Sequence, residues 1–249
     1  MAILDARQLT GRTRDHVAQV GELSCVLHPE AADAFLALRR EAAGAGMDLA
    51  VASGFRDFER QLMIWNDKFS GRRPLLDAAG RPLDARVMSE LDIVRAILHW
   101  SALPGASRHH WGTEIDVIDR TALQPGQRPE LVPSEYAAGG IFAPLDRWLA
   151  GHAGRFGFFR PYDRDRGGVQ PEPWHLSYAP VAGAAVHALT PAVLAEALDD
   201  VQLAGGAAVR AQLEEIHARY VRNVAQPSSL ALAAPPLERR HISPAARPS

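Results

Sequence analysis

The sequence predicts an α+β fold, in which a small antiparallel sheet is flanked by helices and followed by a C-terminal helical extension. Short apolar or alternating segments, which are typical of strands, occur among longer segments whose apolar residues recur at helical spacing. The two kinds of segment do not alternate regularly, as they would in a doubly wound or barrel fold. We therefore expect antiparallel strands and irregularly placed helices.

The first half of the chain predicts three helices and one strand. Apolar residues recur every three or four positions over residues 30–43, 56–69 and 88–100, which indicates amphipathic helices. Residues 48–55 (DLAVASGF) are short and apolar and predict a buried strand. Residues 70–86 combine glycine, proline and charge without a period, which predicts a loop long enough to line a cleft.

The second half predicts the other strands of the sheet. Residues 113–119 (TEIDVID) alternate apolar and acidic side chains, which is typical of a strand. Residues 156–162 and 174–179 predict two further strands, separated by a turn-rich segment. Residues 134–156 predict helix at both ends, with an interruption at a Gly-Gly pair and a proline between them.

These elements divide the chain into three predicted regions. A main domain covers residues 1–188, and a helical extension over residues 189–224 packs on it. Thr190 followed by Pro191 is a favourable start for that extension, since proline suits the first position of a helix. Residues 225–249 are rich in proline, alanine and serine, which predicts a disordered tail.

Composition excludes several classes of function. The chain has 249 residues and a formal net charge of −2, so no overall positive field attracts nucleic acid or anionic lipid. No apolar run approaches the length that spans a membrane. The N-terminal residues lack the basic and apolar segments of a secretory signal. We therefore expect a cytoplasmic protein, with export to the periplasm by another route left open.

The segment SRHHWGTEID, residues 107–116, contains candidate metal ligands. Cys25 is the single cysteine, so any metal must be held by histidine or carboxylate side chains. His109 lies before the predicted strand and Asp116 lies on it, and glycine between them lets the chain turn. His110 points away from its neighbour, so we do not expect it to bind. The alternative is a solvated loop with a pair of surface histidines.

A second segment, EPWH, supplies a third ligand and a base. Pro173 makes a regular strand improbable at that point, so Glu172 is expected at the entrance of the strand while His175 points in from it. This separates a ligand, His175, from a base, Glu172, as metal-assisted hydrolysis requires. Zinc commonly has three such protein ligands and lowers the pKa of its bound water to roughly 7.

Together the two segments resemble the S-x-H-x-x-G-x-A-x-D and E-x-W-H signature of the VanY-type D-alanyl-D-alanine metallocarboxypeptidases. That family belongs to a wider fold group with lysostaphin-type endopeptidases and the hedgehog signalling domain. The wider group often ends in H-x-H, and serine at position 177 favours the carboxypeptidase branch. The matching residues are Ser107, His109, Gly112, Asp116, Glu172, Trp174 and His175.

The segment SGFRDFERQ, residues 53–61, is similar to a third motif of that family, S-G-Y-R-x-x-x-x-Q. The resemblance implies that Arg56 steadies the oxyanion, since a guanidinium offers forked donors where negative charge develops. It also assigns substrate binding to Ser53, Gln61 and Ser107, the last two at the terminal carboxylate. Without the resemblance, Arg56 is an ordinary surface arginine at the start of a helix.

The resemblance implies one zinc ion held by His109, Asp116 and His175, with Glu172 as general base and then acid. The implied reaction removes a terminal D-alanine from a peptidoglycan-derived peptide, with D,D or L,D preference open. Two alternatives remain. One is a peptidoglycan endopeptidase of the same fold, and the other is a zinc-binding module without catalysis.

Glu114 is where the chain departs from this pattern, because the family usually has a small residue there. On a strand, Glu114 and Asp116 share one face. A second carboxylate could bind the metal, raise the basicity of the site or select a cationic substrate group. Alternatively, Glu114 lies at the edge of the strand and points to solvent.

Overall fold

Strands and helices follow one another irregularly in the computed structural model, which describes residues 3–233. Within that range the strands are β1 (Ala18–Val20), β2 (Cys25–Leu27), β3 (Leu49–Ser53), β4 (Leu75–Leu76), β5 (Pro82–Leu83), β6 (Glu114–Asp119), β7 (Phe158–Phe159) and β8 (His175–Tyr178). The α-helices are α1 (Ala6–Leu9), α2 (Pro29–Gly44), α3 (Phe58–Phe69), α4 (Glu90–Leu98), α5 (Pro133–Tyr136), α6 (Ala143–His152), α7 (Ala179–Ala188), α8 (Pro191–Ala197), α9 (Gly206–Ala211), α10 (Leu213–Ile216) and α11 (Ser229–Leu232). The predicted α+β class is confirmed.

The central sheet has four antiparallel strands in the order β3–β6–β8–β7. Asp116 on β6 pairs with Ser53 on β3 and with His175 on β8. Directly opposed residues in a sheet project to the same face. The register therefore aligns Ser53, Asp116 and His175, which are all predicted site residues, in one row across the three strands.

The hydrophobic core holds the sheet against the helices. Phe35 and Leu38 of α2 are fully buried, as are Leu49 of β3 and Val117 of β6. The ring of Phe35 meets Phe158 edge to face, with 6.2 Å between ring centroids. Each such side chain contributes about 1.5–3 kcal/mol through burial, which keeps the strands that carry the site in a fixed register.

Two short hairpins and helix α7 are among the elements that escape prediction from the sequence. The β1–β2 hairpin has strands of three residues, and the β4–β5 hairpin, with strands of two, lies inside the predicted loop 70–86. Strands this short leave no readable alternation of polar and apolar residues. Helix α7 (APVAGAAVHA) is small and apolar on most sides, so it has no marked helical period.

The predicted extension 189–224 packs on the main domain. The indole Nε1 of Trp65 on α3 donates to the carbonyl of Ala204 at 3.0 Å. Leu194 and Val209 are fully buried in the same hydrophobic core as the sheet. The extension ends in a π-helical turn, His217–Val221.

Part of the predicted tail is ordered, so that prediction needs correction. Residues 225–233 contain helix α11, in which Ala231 is fully buried, and the amide of Ala225 donates to the carbonyl of Pro161. Proline and serine end or cap helices as well as favouring disorder, and Ser228 caps α11 here. The rest of the predicted tail, 234–249, lies outside the described residues.

Over residues 3–233, no single helix is long and apolar enough to cross a membrane. Helices α7 and α8 meet the length and composition criterion only when taken together, and they are bent by 81° at their junction.

Candidate metal centre and active site

Three elements bring the predicted metal ligands together. His109 lies on a 3-10 helix, Arg108–Trp111, directly before β6, while Asp116 and His175 pair across β6 and β8. Nε2 of His109 lies 3.5 Å from Oδ2 of Asp116, and Nδ1 of His175 lies 3.3 Å from Oδ1 of Asp116. One ligand atom from each of the three lies within 4.8 Å of the other two. They form a buried cluster that can hold a metal ion.

The ring of His109 is oriented for binding by its other nitrogen. Nδ1 lies 2.8 Å from the carbonyl oxygen of Gly54. A carbonyl oxygen only accepts, so Nδ1 carries the hydrogen and the lone pair of Nε2 faces Asp116. Burial lowers the pKa of His109 to about 4, so the ring is neutral at pH 7. A neutral imidazole is the form that binds a metal.

Three carboxylates surround His175. Its Nδ1 lies 3.2 Å from Oε2 of Glu172 as well as close to Asp116, and its Nε2 lies 2.7 Å from Oε2 of Glu114. Burial alone would lower the pKa of His175. The neighbouring carboxylates of Asp116, Glu114 and Glu172 outweigh it, and the pKa lies well above its usual value.

The donor set fits a divalent cation such as zinc. Two imidazoles and one carboxylate are a common zinc ligand set. Oδ1 of Asp116 is buried and accepts no hydrogen bond of good geometry among the described residues, with Nδ1 of His175 3.3 Å away as its polar neighbour. A buried carboxylate oxygen without a partner is costly, and a cation bound between His109 and His175 would satisfy it. His109, Asp116 and His175 are therefore the residues that would hold the metal.

Glu172 lies beside this cluster and outside the strand. It precedes the turn that leads into β8, as the proline after it predicts. Its side chain lines a cleft together with Arg56, Ser107 and Tyr162. It is 13% exposed, so it is not freely solvated. Burial raises the pKa of Glu172, and the neighbouring charge of Asp116 adds to this rise. A carboxylate with a raised pKa is better suited to accept and return a proton.

Zinc affinity is expected to rise with pH. Because the pKa of His175 is raised in the metal-free protein, its ring carries a proton at neutral pH that a metal must displace. Affinity should increase about tenfold per pH unit until the raised pKa is passed. Calorimetry in buffers of different ionisation enthalpy measures the released proton. An affinity that stays constant between pH 6 and 8 would contradict this.

The predicted substrate residues form one cluster around Arg56. Nη1 of Arg56 donates to Oε1 of Gln61 at 2.8 Å, and Nη2 donates to Oγ of Ser53 at 3.3 Å. A guanidinium has five N–H groups, and these two bonds leave others for a ligand. Helix α3 begins after Asp57, its N-cap, so Arg56 precedes the helix and is not a surface residue of its first turn.

Gln61 lies beneath Arg56 rather than in the cleft. Its side chain is fully buried, and its Nε2 donates to Oγ of Ser101 and to the carbonyl of Ala102. With both amide hydrogens used, Gln61 is placed to hold Arg56, whereas the resemblance gives it contact with the terminal carboxylate. Ser107 lines the cleft together with Arg56, as the resemblance implies for a substrate-binding residue.

Comparison with known proteins identifies the family of the chain. A family model described as VanY, D-alanyl-D-alanine carboxypeptidase, matches residues 24–181. The chain belongs to the VanY family. The match covers more than half of the chain and includes each of the residues that line up in the three motifs. Membership of this family supports peptidase activity.

Individual relatives share between about a quarter and two fifths of their residues with this chain over the matched segments. An uncharacterized protein of Haemophilus influenzae is 37% identical over 121 residues, which are 48% of this chain and 92% of that protein. A D-alanyl-D-alanine carboxypeptidase of Enterococcus faecalis is 29% identical over 161 residues, 64% of this chain and 48% of that protein.

Among solved structures, VanYB in complex with D-alanine-D-alanine superposes with a TM-score of 0.48 at 22% identity, covering 74% of this chain and 89% of that one. The LdcB LD-carboxypeptidase gives a TM-score of 0.48 at 23% identity, covering 85% and 79%.

The motif glycine of this VanY-family chain has a steric reason. Gly112 ends the 3-10 helix of His109 with φ +69, in the left-handed region. A Cβ there would lie 2.4 Å from Cγ1 of Val17 and 2.8 Å from the amide nitrogen of His28. The glycine lets the chain turn from His109 into β6 while the β1–β2 region packs against it.

Replacing Gly112 by alanine is expected to lower the free energy of unfolding by more than about 2 kcal/mol. The added methyl group adopts an unfavourable φ and also collides with Val17 and His28. Gly46→Ala is the matched control, because Gly46 has φ +81 but open space around it. That control should cost about 1–2 kcal/mol. Urea unfolding of both variants measures the difference, and equal losses would contradict the packing argument.

Two buried residues near the site have roles that the sequence does not indicate. His110, as expected, is not among the metal ligands: its Nδ1 lies 2.6 Å from the carbonyl of Arg56 and its Nε2 accepts from the amide of Gly105. It thereby fixes the backbone beneath Arg56. Tyr162 lines the cleft, with its ring centroid 5.1 Å from that of His175. Tyr162 lies at the end of a predicted strand, and that position did not indicate that its ring would contact the cleft.

Glu114 is fully buried, which excludes the alternative in which it points to solvent. It shares the metal-bearing face of β6 with Asp116, as the strand period requires. Burial alone would raise the pKa of Glu114, but the charge of Arg108 and the bond to His175 lower it to about 2. Glu114 is therefore an ionised carboxylate in the interior.

Proposed function

We propose that this chain is a zinc-dependent carboxypeptidase that removes the terminal D-alanine from peptidoglycan-type peptides. The observation that supports this most is the convergence of His109, Asp116 and His175 with Glu172 at their side and Arg56 in the same cleft. Two imidazoles and a carboxylate bind zinc, a second carboxylate serves as base, and a guanidinium faces developing charge.

Zinc bound by the three ligands supplies Lewis-acid activation of the attacking water and of the scissile carbonyl. Glu172 accepts the proton of the attacking water, since its carboxylate lies in the cleft and its raised pKa favours proton transfer. The same carboxyl group then returns the proton to the leaving amine. The peptide bond breaks, and a shortened peptide and free D-alanine result.

Arg56 stabilises the oxyanion in this scheme. The bonds to Ser53 and Gln61 fix the plane of its guanidinium before substrate arrives, and a donor that needs no reorganisation is the most effective. Burial lowers the pKa of Arg56, which the carboxylates of Asp116 and Glu172 oppose. The guanidinium remains charged across the physiological range.

Mass spectrometry of muropeptides incubated with zinc-loaded protein tests the proposal. The panel contains tripeptide, tetrapeptide and pentapeptide stems and a cross-linked dimer. Loss of one alanine from the pentapeptide indicates D,D activity, and loss from the tetrapeptide indicates L,D activity. Cleavage of the dimer alone would replace the proposal by an endopeptidase, and zinc binding without turnover of any substrate would replace it by a metal-binding module.

A further inference from the structure

A buried polar network lies behind the metal ligand His175. Oε2 of Glu114 accepts from Nε2 of His175 at 2.7 Å and from Nε of Arg108 at 3.2 Å. Oε1 of Glu114 accepts from the hydroxyl of Ser177 at 2.8 Å and from that of Thr113 at 2.9 Å. Nη2 of Arg108 donates to Ser177 at 2.6 Å, which closes the network.

The bonds of Glu114 exclude two of the roles that a carboxylate there could have. Both of its oxygens already accept from protein donors, and its side chain is 0% exposed. It has no free lone pair directed at the cleft and no surface that could meet a cationic substrate group. What remains is its contact with the nitrogen of His175 that faces away from Asp116.

We propose that Arg108, Glu114 and Ser177 form a positioning device, which holds His175 with its Nε2 hydrogen on Glu114 and its Nδ1 lone pair toward the metal. This proposal rests on the proposed zinc peptidase function and adds three residues to it. The sheet register builds the device, since the Glu114–Ser177 pair is the next pair after Asp116–His175 on the same face of the sheet. A carboxylate on the outer nitrogen of a ligating histidine fixes both its tautomer and its ring angle.

The energetics favour this role over a purely stabilising one. Removing an arginine and a carboxylate from water carries a large desolvation cost, and apolar residues of similar volume often replace such a pair without loss of stability. The side chains of Arg108 and Glu114 are 3% and 0% exposed, so both charges have lost almost all of their hydration. Burial of this pair is therefore weak evidence that it stabilises the fold, whereas its contact with the ligand His175 gives it a defined role.

The paired variants Arg108→Met/Glu114→Leu and Arg108→Met/Glu114→Gln test the proposal, because both remove the two charges together. The leucine variant leaves Nε2 of His175 without an acceptor, whereas the glutamine variant keeps one. Zinc affinity, measured by competition with a chelator, should fall about 10- to 100-fold in the leucine variant. The glutamine variant should recover most of that loss. Thermal unfolding of the metal-free proteins checks that both variants fold equally well.

Equal zinc affinity of the leucine variant and the wild type, or equal losses in both variants at equal stability, would overturn the proposal. Long-range proton–nitrogen NMR of the zinc-loaded wild type provides a second test that needs no variant: Nδ1 of His175 should be the metal-bound nitrogen and Nε2 the protonated one, and the reverse overturns the proposal. Turnover of muropeptides is measured separately. Wild-type protein that binds zinc but cleaves nothing refutes the proposed function alone.

Discussion

Replacing Glu172 by alanine is expected to lower kcat about 10²- to 10⁴-fold while zinc stays bound. Glu172 lies next to the cluster but does not belong to the three residues whose ligand atoms converge. Its removal should therefore abolish proton transfer without opening the metal site. Steady-state kinetics on a cleaved muropeptide, together with the zinc content of the purified variant, measure both effects.

The pH profile, measured with zinc kept saturating at every pH, tests the same assignment. Glu172 must be ionised to accept a proton, and burial beside Asp116 raises its pKa. The sign follows: activity is present above this raised pKa and is lost as the pH falls through it. The acid limb of kcat/KM should lie above the ordinary glutamate value of 4.5, and it should disappear from the residual activity of the alanine variant.

Glu59→Ala is the matched control for this experiment. Glu59 is an exposed glutamate on α3, paired with Arg12 at 3.0 Å, and lies outside the cleft. Its loss should leave kcat unchanged, since exposed ion pairs contribute little. Full activity in Glu172→Ala would show that another group takes the proton, and zinc loss in that variant would show that Glu172 is a ligand.

Two parts of the metal site could be predicted from local sequence, and the family resemblance joined them into one ligand set. His109, Gly112 and Asp116 lie within one turn and one strand, so their spacing alone places two ligands near each other. Glu172 and His175 are separated by a proline that breaks the strand, which assigns one to the loop and the other to the sheet. Each inference is local, but only the pairing of β8 with β6 brings His175 to Asp116, and the family resemblance anticipated that contact.

The network behind His175 was not predictable for the opposite reason. Glu114 and His175 are 61 positions apart, and only the register of β6 against β8 brings them together. The strand period places Glu114 on the metal face, but it cannot show that Arg108 neutralises it. Likewise, the motif that contains Gln61 does not show that its amide is consumed by Ser101 and Ala102.

Replacing Asp116 by asparagine is expected to weaken zinc binding more than about 100-fold, since even residues that only support metal ligands are worth 10–100-fold. Asp116 lies between the two histidines, and its unpartnered Oδ1 is the oxygen that a cation would satisfy. Asparagine keeps the size of the side chain and removes the charge. Chelator competition measures the loss, and activity should return in part at saturating zinc.

Asp119→Asn separates this effect from a general loss of structure. Asp119 lies on the same strand, is also buried, and accepts bonds from Thr121 and from the amide of Asp48 at the other end of β6. Its exchange should lower the unfolding temperature but leave zinc affinity unchanged. If both variants lost zinc equally, the loss would come from disturbing β6, and the experiment would contradict the assignment of Asp116 as a metal ligand. Loss in Asp116→Asn alone, at equal or higher stability, identifies its carboxylate as the ligand.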